Sequence, residues 1–323
     1  MVFVKERKIK GKKYLYLEKS VRDGKKVHKV SKYLGNKDNF SNFMIKEEVK
    51  EFKINVNGRL LNLIVENAKK KYSSLEYPLN IDEIKKIEEM NLKYKKIKKS
   101  LTKLDWQDVK KRFVANFVFE SNALEGNSLT LKNFSEIVFE NKIINSADLR
   151  EVYDAKNSFQ VFSDLFKAKK DISEDFIISL HRKVMKNIDN RFGYKKIPNM
   201  ILGSNMELTD PGNVPKEMKK LLKWYDKNKQ IMFPLELALK FHHKFEKIHP
   251  FSDGNGRVGR LIMNYILMRN GYYPLIVRKS QRNKYIKALE SADRDRYILL
   301  MRFGIEKMKE TYRKFFAVYY NYV

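Results

Sequence analysis

The chain has 323 residues, 43% apolar and 13% aromatic, enough for about two domains with real cores, which excludes a chain disordered throughout. Sixty-eight Lys and Arg against 39 Asp and Glu leave a formal charge of +29, a field that draws polyanions whatever else the protein does. The lack of cysteine excludes a disulfide framework, a thiolate metal site and a cysteine nucleophile, leaving five His and the carboxylates as metal ligands.

Taken in chain order, Tyr14 to Leu17 and Lys26 to Val30 flank Arg22-Asp23-Gly24, the turn chemistry of a β-hairpin, so residues 1–38 read as a small basic β element. Thirteen Lys and Arg against four Asp and Glu fall in residues 1–40. This is either a solvated, Lys-rich edge or a contact surface for nucleic acid or an acidic partner. Only Met1 to Val4 precede the first Lys, too short for a signal peptide, and no apolar run nears the roughly eighteen residues that span a bilayer. A cytoplasmic protein with no membrane segment is expected.

Beyond residue 40 the apolar period becomes 3.6. Ile81 to Leu101, Trp106 to Ala123, Asp148 to Phe166, Phe176 to Met185 and Leu235 to Ile248 read as amphipathic helices, so the body is mainly α. Gly126 reads as a helix stop after Ser121-Asn-Ala-Leu-Glu125. Gly193 to Pro215, rich in Gly, Pro and Asn, reads as a hairpin or long loop.

The chemistry concentrates in residues 249–260, HPFSDGNGRVGR, between two helical segments. Gly254 and Gly256 permit backbone dihedrals that turn the amides around Asn255 toward one point, at the start of a helix whose dipole favours an anion. Arg257 and Arg260, three apart, share one helix face, where guanidinium forks match phosphate oxygens. Asp253 beside phosphate calls for a hard cation between them, Mg²⁺ or Mn²⁺. His249, with an ordinary pKa near 6.5, is a candidate general base. Phe251 reads as a core anchor that orients His249. Base, metal ligand, anion cradle and two arginines within twelve residues point to polyphosphate chemistry.

This string resembles the signature of the Fic family: His-Pro-Phe, any residue, Asp or Glu, Gly-Asn-Gly-Arg, two residues, Arg. Phe241 to Ile248 and Arg282 to Asp293 resemble the family's flanking segments, and the likeness spans roughly residues 110–310. It implies a Fic-type helical core over 111–310 with a β-hairpin flap at Gly193 to Gly203. That core is preceded by a helical region at 39–110 and followed by a helix end at 311–323. The implied activity is transfer of AMP from ATP to a Ser, Thr or Tyr hydroxyl of a protein target or of the chain itself. His249 is the implied base, Asp253 the metal ligand, and Gly254, Asn255, Gly256, Arg257 and Arg260 the nucleotide ligands. Tyr285 is either the aromatic of the adenine pocket or a core-facing side chain.

Ser121, Glu125, Gly126 and Asn127 resemble the family's inhibitory motif, in the subgroup that carries it ahead of the core. By that likeness Glu125 reaches Arg260 and takes the space of the γ-phosphate. Two alternatives stand beside AMP transfer. Glu125 could orient a water that removes AMP from the target, or the basic N-terminal element could make this a nucleic-acid-binding protein. A homodimer is compatible with such a latch. His28, His181, His242 and His243 read as packing or supporting residues, since adjacent His on a helix diverge by about 100°.

Overall fold

The computed structural model describes residues 2–23, 26–72, 78–142, 144, 147–200, 206–293 and 296–322. They group into two compact units, residues 1–71 with 84–89, and residues 72–83 with 90–323.

In the first unit, β1 (Phe3–Ile9), β2 (Lys12–Asp23) and β3 (Lys26–Asn36) form an antiparallel sheet in the order 1-2-3. The expected hairpin is β2–β3, closed by the Asp23–Lys26 pair, and residues 24–25 of its turn lie outside the described residues. The added strand follows from Lys10 and Gly11, whose φ values of 47° and 83° supply the two left-handed residues of a tight hairpin turn. Alternation sends Leu17, Val21 and Val30 to one face, where they pack with Phe52 and Val56 of α1 (Asn42–Lys71). Lys32 of the same face pairs with Glu48 at 2.8 Å.

The second unit is helical. In chain order come α2 (Ile81–Ser100), whose residues 84–89 group with the first unit, α3 (Lys103–Leu124), α4 (Leu131–Phe139) and α5 (Leu149–Leu165). They are followed by α6 (Glu174–Val184), α7 (Val214–Asn228), α8 (Pro234–Ile248), α9 (Asn255–Arg269), α10 (Arg282–Ala292) and α11 (Ile298–Thr311). Side chains of Asn80, Thr102, Thr130, Asp148 and Ser173 accept the first backbone amides of α2 to α6 and so set where those helices begin. Residues 255–267 of α9 are buried all round, which makes α9 the central helix of the unit. It lies against α8, with α3, α5 and α6 also touching it.

The expected flap shows no strand among its described residues. Residues 193–200 and 206–215 carry no strand, and 201–205, including Gly203, lie outside the described residues. Pro198 has no amide to give a ladder, and Lys195 spends its own on the Pro250 carbonyl at 2.8 Å. Among the described residues no helix is long and apolar enough to cross a membrane.

Candidate functional site

The turn between α8 and α9 is built from below. α8 ends at His249, which is left-handed (φ 48°, ψ 60°), a conformation uncommon outside glycine, and this turns the chain sharply. Phe251 is fully buried and stacks on His181, ring centroids 3.8 Å apart. His181 Nε2 donates to the Asp253 carbonyl at 3.0 Å. Asn255 accepts the Phe251 amide at 2.8 Å and donates to its carbonyl at 2.7 Å, so its side chain staples the loop rather than facing a ligand. Gly254 (φ 77°) then starts α9 without a side-chain cap.

Above this staple, a cleft of about 490 Å³ is lined by Glu125, His249, Asp253, Gly254, Gly256 and Arg282. The His249 Nδ1 donates to the Glu246 carbonyl at 3.3 Å, which leaves Nε2 with the free lone pair. Burial, helped by the Lys195 charge, pushes the ring down to about 4, so it is neutral at physiological pH.

Arg257 and Arg260 of α9 are both buried. Arg257 pairs with Asp154 of α5 and reaches Asp253 at 3.2 Å; burial brings it down to about 10. Arg260, 2% exposed, donates from Nε to the Ser121 hydroxyl at 2.9 Å and from Nη2 to the Ser121 carbonyl at 2.8 Å and Glu125 Oε1 at 2.7 Å. Glu125 sits just past the end of α3, where Gly126 (φ 100°) stops the helix, and its side chain keeps 38% exposure. A Cβ built on Gly256 would overlap Glu125 Oε1, so the carboxylate rests directly on the glycine turn. Burial raises the Glu125 pKa, but the Arg260 and Arg257 charges outweigh it and hold the group below its ordinary value.

Asp253 was assigned to a cation, and its chemistry fits one in a limited way. Among the described residues no group of three or more His, Asp or Glu is placed to cage a metal. One cleft-facing carboxylate suits Mg²⁺ or Mn²⁺ only when phosphate oxygens complete the shell. Here that carboxylate meets Arg150 of α5 and Arg257.

Not every residue singled out from the sequence converges on the cleft. Tyr285 is buried, its hydroxyl meets His242 Nε2, and it lines a smaller recess that Glu125, His249 and Arg260 also line. Asn127 turns away from Arg260: its amide group donates to the Glu151 carbonyl at 3.3 Å and its oxygen accepts the Leu129 amide at 3.1 Å. His243 meets Asp293 at 3.0 Å. Sequence reasoning missed Asp154 and Arg150, both about a hundred positions from their partners, and Arg282 at the cleft wall. It also missed Glu246, whose burial, partly offset by Arg260, raises its carboxyl to about 8. Its place one turn before His249 was the only hint.

Residues 171–267 match the Fic/DOC family model. The matched stretch runs from α6 to α9 and so contains the loop, Arg257 and Arg260. The chain is 33% identical over 181 residues to Protein adenylyltransferase Fic of Nematostella vectensis, covering 54% of this chain and 42% of that protein. With the Drosophila melanogaster protein of the same name it shares 30% over 188 residues, 57% of this chain and 38% of that one. The chain thus spans about two fifths of the length of these relatives. A Fic-domain signaling protein from Bacteroides thetaiotaomicron superposes with a TM-score of 0.65 at 24% identity, covering 70% of this chain and 94% of that one. Fic-1 from C. elegans gives 0.62 at 21%, covering 82% and 75%. These two share the Fic/DOC fold.

Proposed function

We propose that this chain transfers AMP from ATP to a Ser, Thr or Tyr hydroxyl of a protein, and that Glu125 holds the site at rest. The observation that carries the reading is the seat of Glu125: its carboxylate lies on the Gly256 turn and binds Arg260, the place and the partner that a terminal phosphate needs. The names of the relatives, protein adenylyltransferase, support the same chemistry.

With Glu125 swung away, the start of α9 at Asn255 and Gly256 and the Arg260 guanidinium would receive the phosphates. Arg257, fixed by Asp154, adds a second positive charge behind them. The His249 Nε2 takes the proton from the target hydroxyl while its oxygen attacks the α-phosphorus; the bond to the β-phosphate oxygen breaks and pyrophosphate leaves. Asp253 would hold Mg²⁺ or Mn²⁺ against the phosphates, and the bound cation would neutralise charge on the leaving group.

Incubation with α-labelled ATP and Mg²⁺ tests this. Glu125→Gly should form a covalent AMP adduct on itself or on lysate proteins, seen by mass spectrometry, and His249→Ala in the Glu125→Gly background should form none. If neither wild type nor Glu125→Gly yields an adduct with ATP or any other nucleoside triphosphate, the transferase reading is wrong. The partial exposure of Glu125 in the cleft that also holds His249 favours one second reading, in which the carboxylate orients a water that releases AMP from a modified protein. In that case wild type strips AMP from a modified target and Glu125→Gly does not.

A further inference from the structure

In the first unit the sheet buries one face under α1, and among the described residues of that unit nothing packs on the other. The register places Phe3, Lys5 and Arg7 of β1, Lys12, Tyr14, Tyr16 and Glu18 of β2, and Lys29 and Tyr33 of β3 on that free face. Tyr33 packs against Tyr14 and Tyr16 with ring centroids 6.1 and 5.1 Å apart, and Arg7 lies 4.6 Å over the Tyr16 ring. Phe3 and Tyr33, on the two outer strands, are each 55% exposed. Glu18 is the one acid on this face among the described residues. It is 3% exposed and lies beneath Lys5 at 3.0 Å, Arg7 at 2.8 Å and Lys29 at 3.1 Å.

These are two independent features of one surface. A buried carboxylate holds three long cationic side chains in place, cutting the rotamer entropy that their ordering on a ligand would otherwise lose. The cations outnumber the acid, so the face keeps a net positive charge, and aromatic rings lie between them. Charge alone would suit any polyanion. Exposed rings among ordered cations suit a polyanion that also offers flat aromatic faces. In a duplex those faces are covered by neighbouring base pairs; in a single strand they are free. We propose that the free face of this sheet binds single-stranded nucleic acid, with Tyr33 and Phe3 stacking on bases and Lys5, Arg7, Lys12 and Lys29 meeting phosphates. The proposal does not depend on the transferase reading.

Fluorescence anisotropy of the full chain with a labelled DNA strand of about 20 nucleotides, in about 150 mM salt, tests it. Tyr33→Ala should weaken binding about tenfold, and Tyr33→Phe, which keeps the ring, should bind as wild type does. An abasic strand of equal length, which keeps every phosphate, should also bind about tenfold more weakly. The double variant Lys5→Ala/Lys29→Ala should flatten the slope of log K against log salt by about 1.4. The equally charged change Lys219→Ala/Lys223→Ala, on α7, should leave it nearly unaltered. Equal binding by Tyr33→Ala and wild type, equal binding of abasic and normal strands, tighter binding of a duplex, or equal effects of the two Lys pairs would each overturn the proposal.

Discussion

Replacing Glu125 by Gly should make the protein less stable and its grip on ATP tighter. Arg260 is buried, but Glu125 is only one of its partners: the Ser121 hydroxyl and carbonyl remain at 2.9 and 2.8 Å. The variant therefore loses one charge-assisted hydrogen bond, while Arg260 keeps its two hydrogen bonds to Ser121. Such a bond contributes about 1.5–3 kcal/mol, and the 38% exposure of Glu125 brings the figure toward about 1–2 kcal/mol. On the proposed reading ATP displaces the same contact in the wild type. Its removal should thus tighten ATP binding by about 5- to 30-fold, since 1.4 kcal/mol is a factor of ten. Isothermal titration with ATP and Mg²⁺ reads the affinity, and denaturant unfolding reads the stability. An unchanged ATP affinity alongside a fall in stability would refute the idea that carboxylate and phosphate share one place.

The remaining expectations concern the base and the loop. The profile of kcat/KM against pH for Glu125→Gly reports the free enzyme, so it should stay flat through pH 6.5 and bend only toward about 4. Burial disfavours the imidazolium, and loss of the Glu125 charge removes one influence that raised the pKa; an acid limb centred at 6.5 would show a solvated ring. Asn255→Ala should cost about 2–3 kcal/mol in urea unfolding, because the Phe251 amide is left buried without its 2.8 Å acceptor. A change within half a kcal/mol, roughly the effect of an ordinary surface substitution, would mean that the loop holds its shape without the staple.

What could be read in the sequence was what is local. Helices α2, α3, α5, α6 and α8 were visible because their apolar residues recur at helical spacing, and the twelve-residue loop because its glycines, arginines and histidine are neighbours in the chain. β1 escaped notice for the converse reason: all seven of its residues are exposed, so no buried face imposes an alternation, and only the Lys10-Gly11 turn marks it. Asn255 was read as part of an anion cradle, but its amide side chain matches the two backbone groups of Phe251 that the tight turn would otherwise strand. The Glu125–Arg260 pair was suggested by a resemblance, not by spacing, and the pairs Asp154–Arg257 and Arg150–Asp253 by nothing, since a contact between residues about a hundred apart is set by how helices pack.

Arg257 and Arg260 of α9 look equivalent in the sequence and are not equivalent in the fold. A buried guanidinium needs a carboxylate nearby, and each has one from outside its own helix. The Asp154 side chain is only 10% exposed and comes from the middle of α5, so Arg257 is held as a fixed positive post. Glu125 comes from the loose end of α3, next to a left-handed glycine, and is more than a third exposed. Exchange of a protein carboxylate for a phosphate is therefore inexpensive at Arg260 and costly at Arg257. On the proposed reading an inhibitory carboxylate acts on the second arginine because Glu125, at a helix end, can swing aside while the incoming phosphate replaces the negative charge that departs.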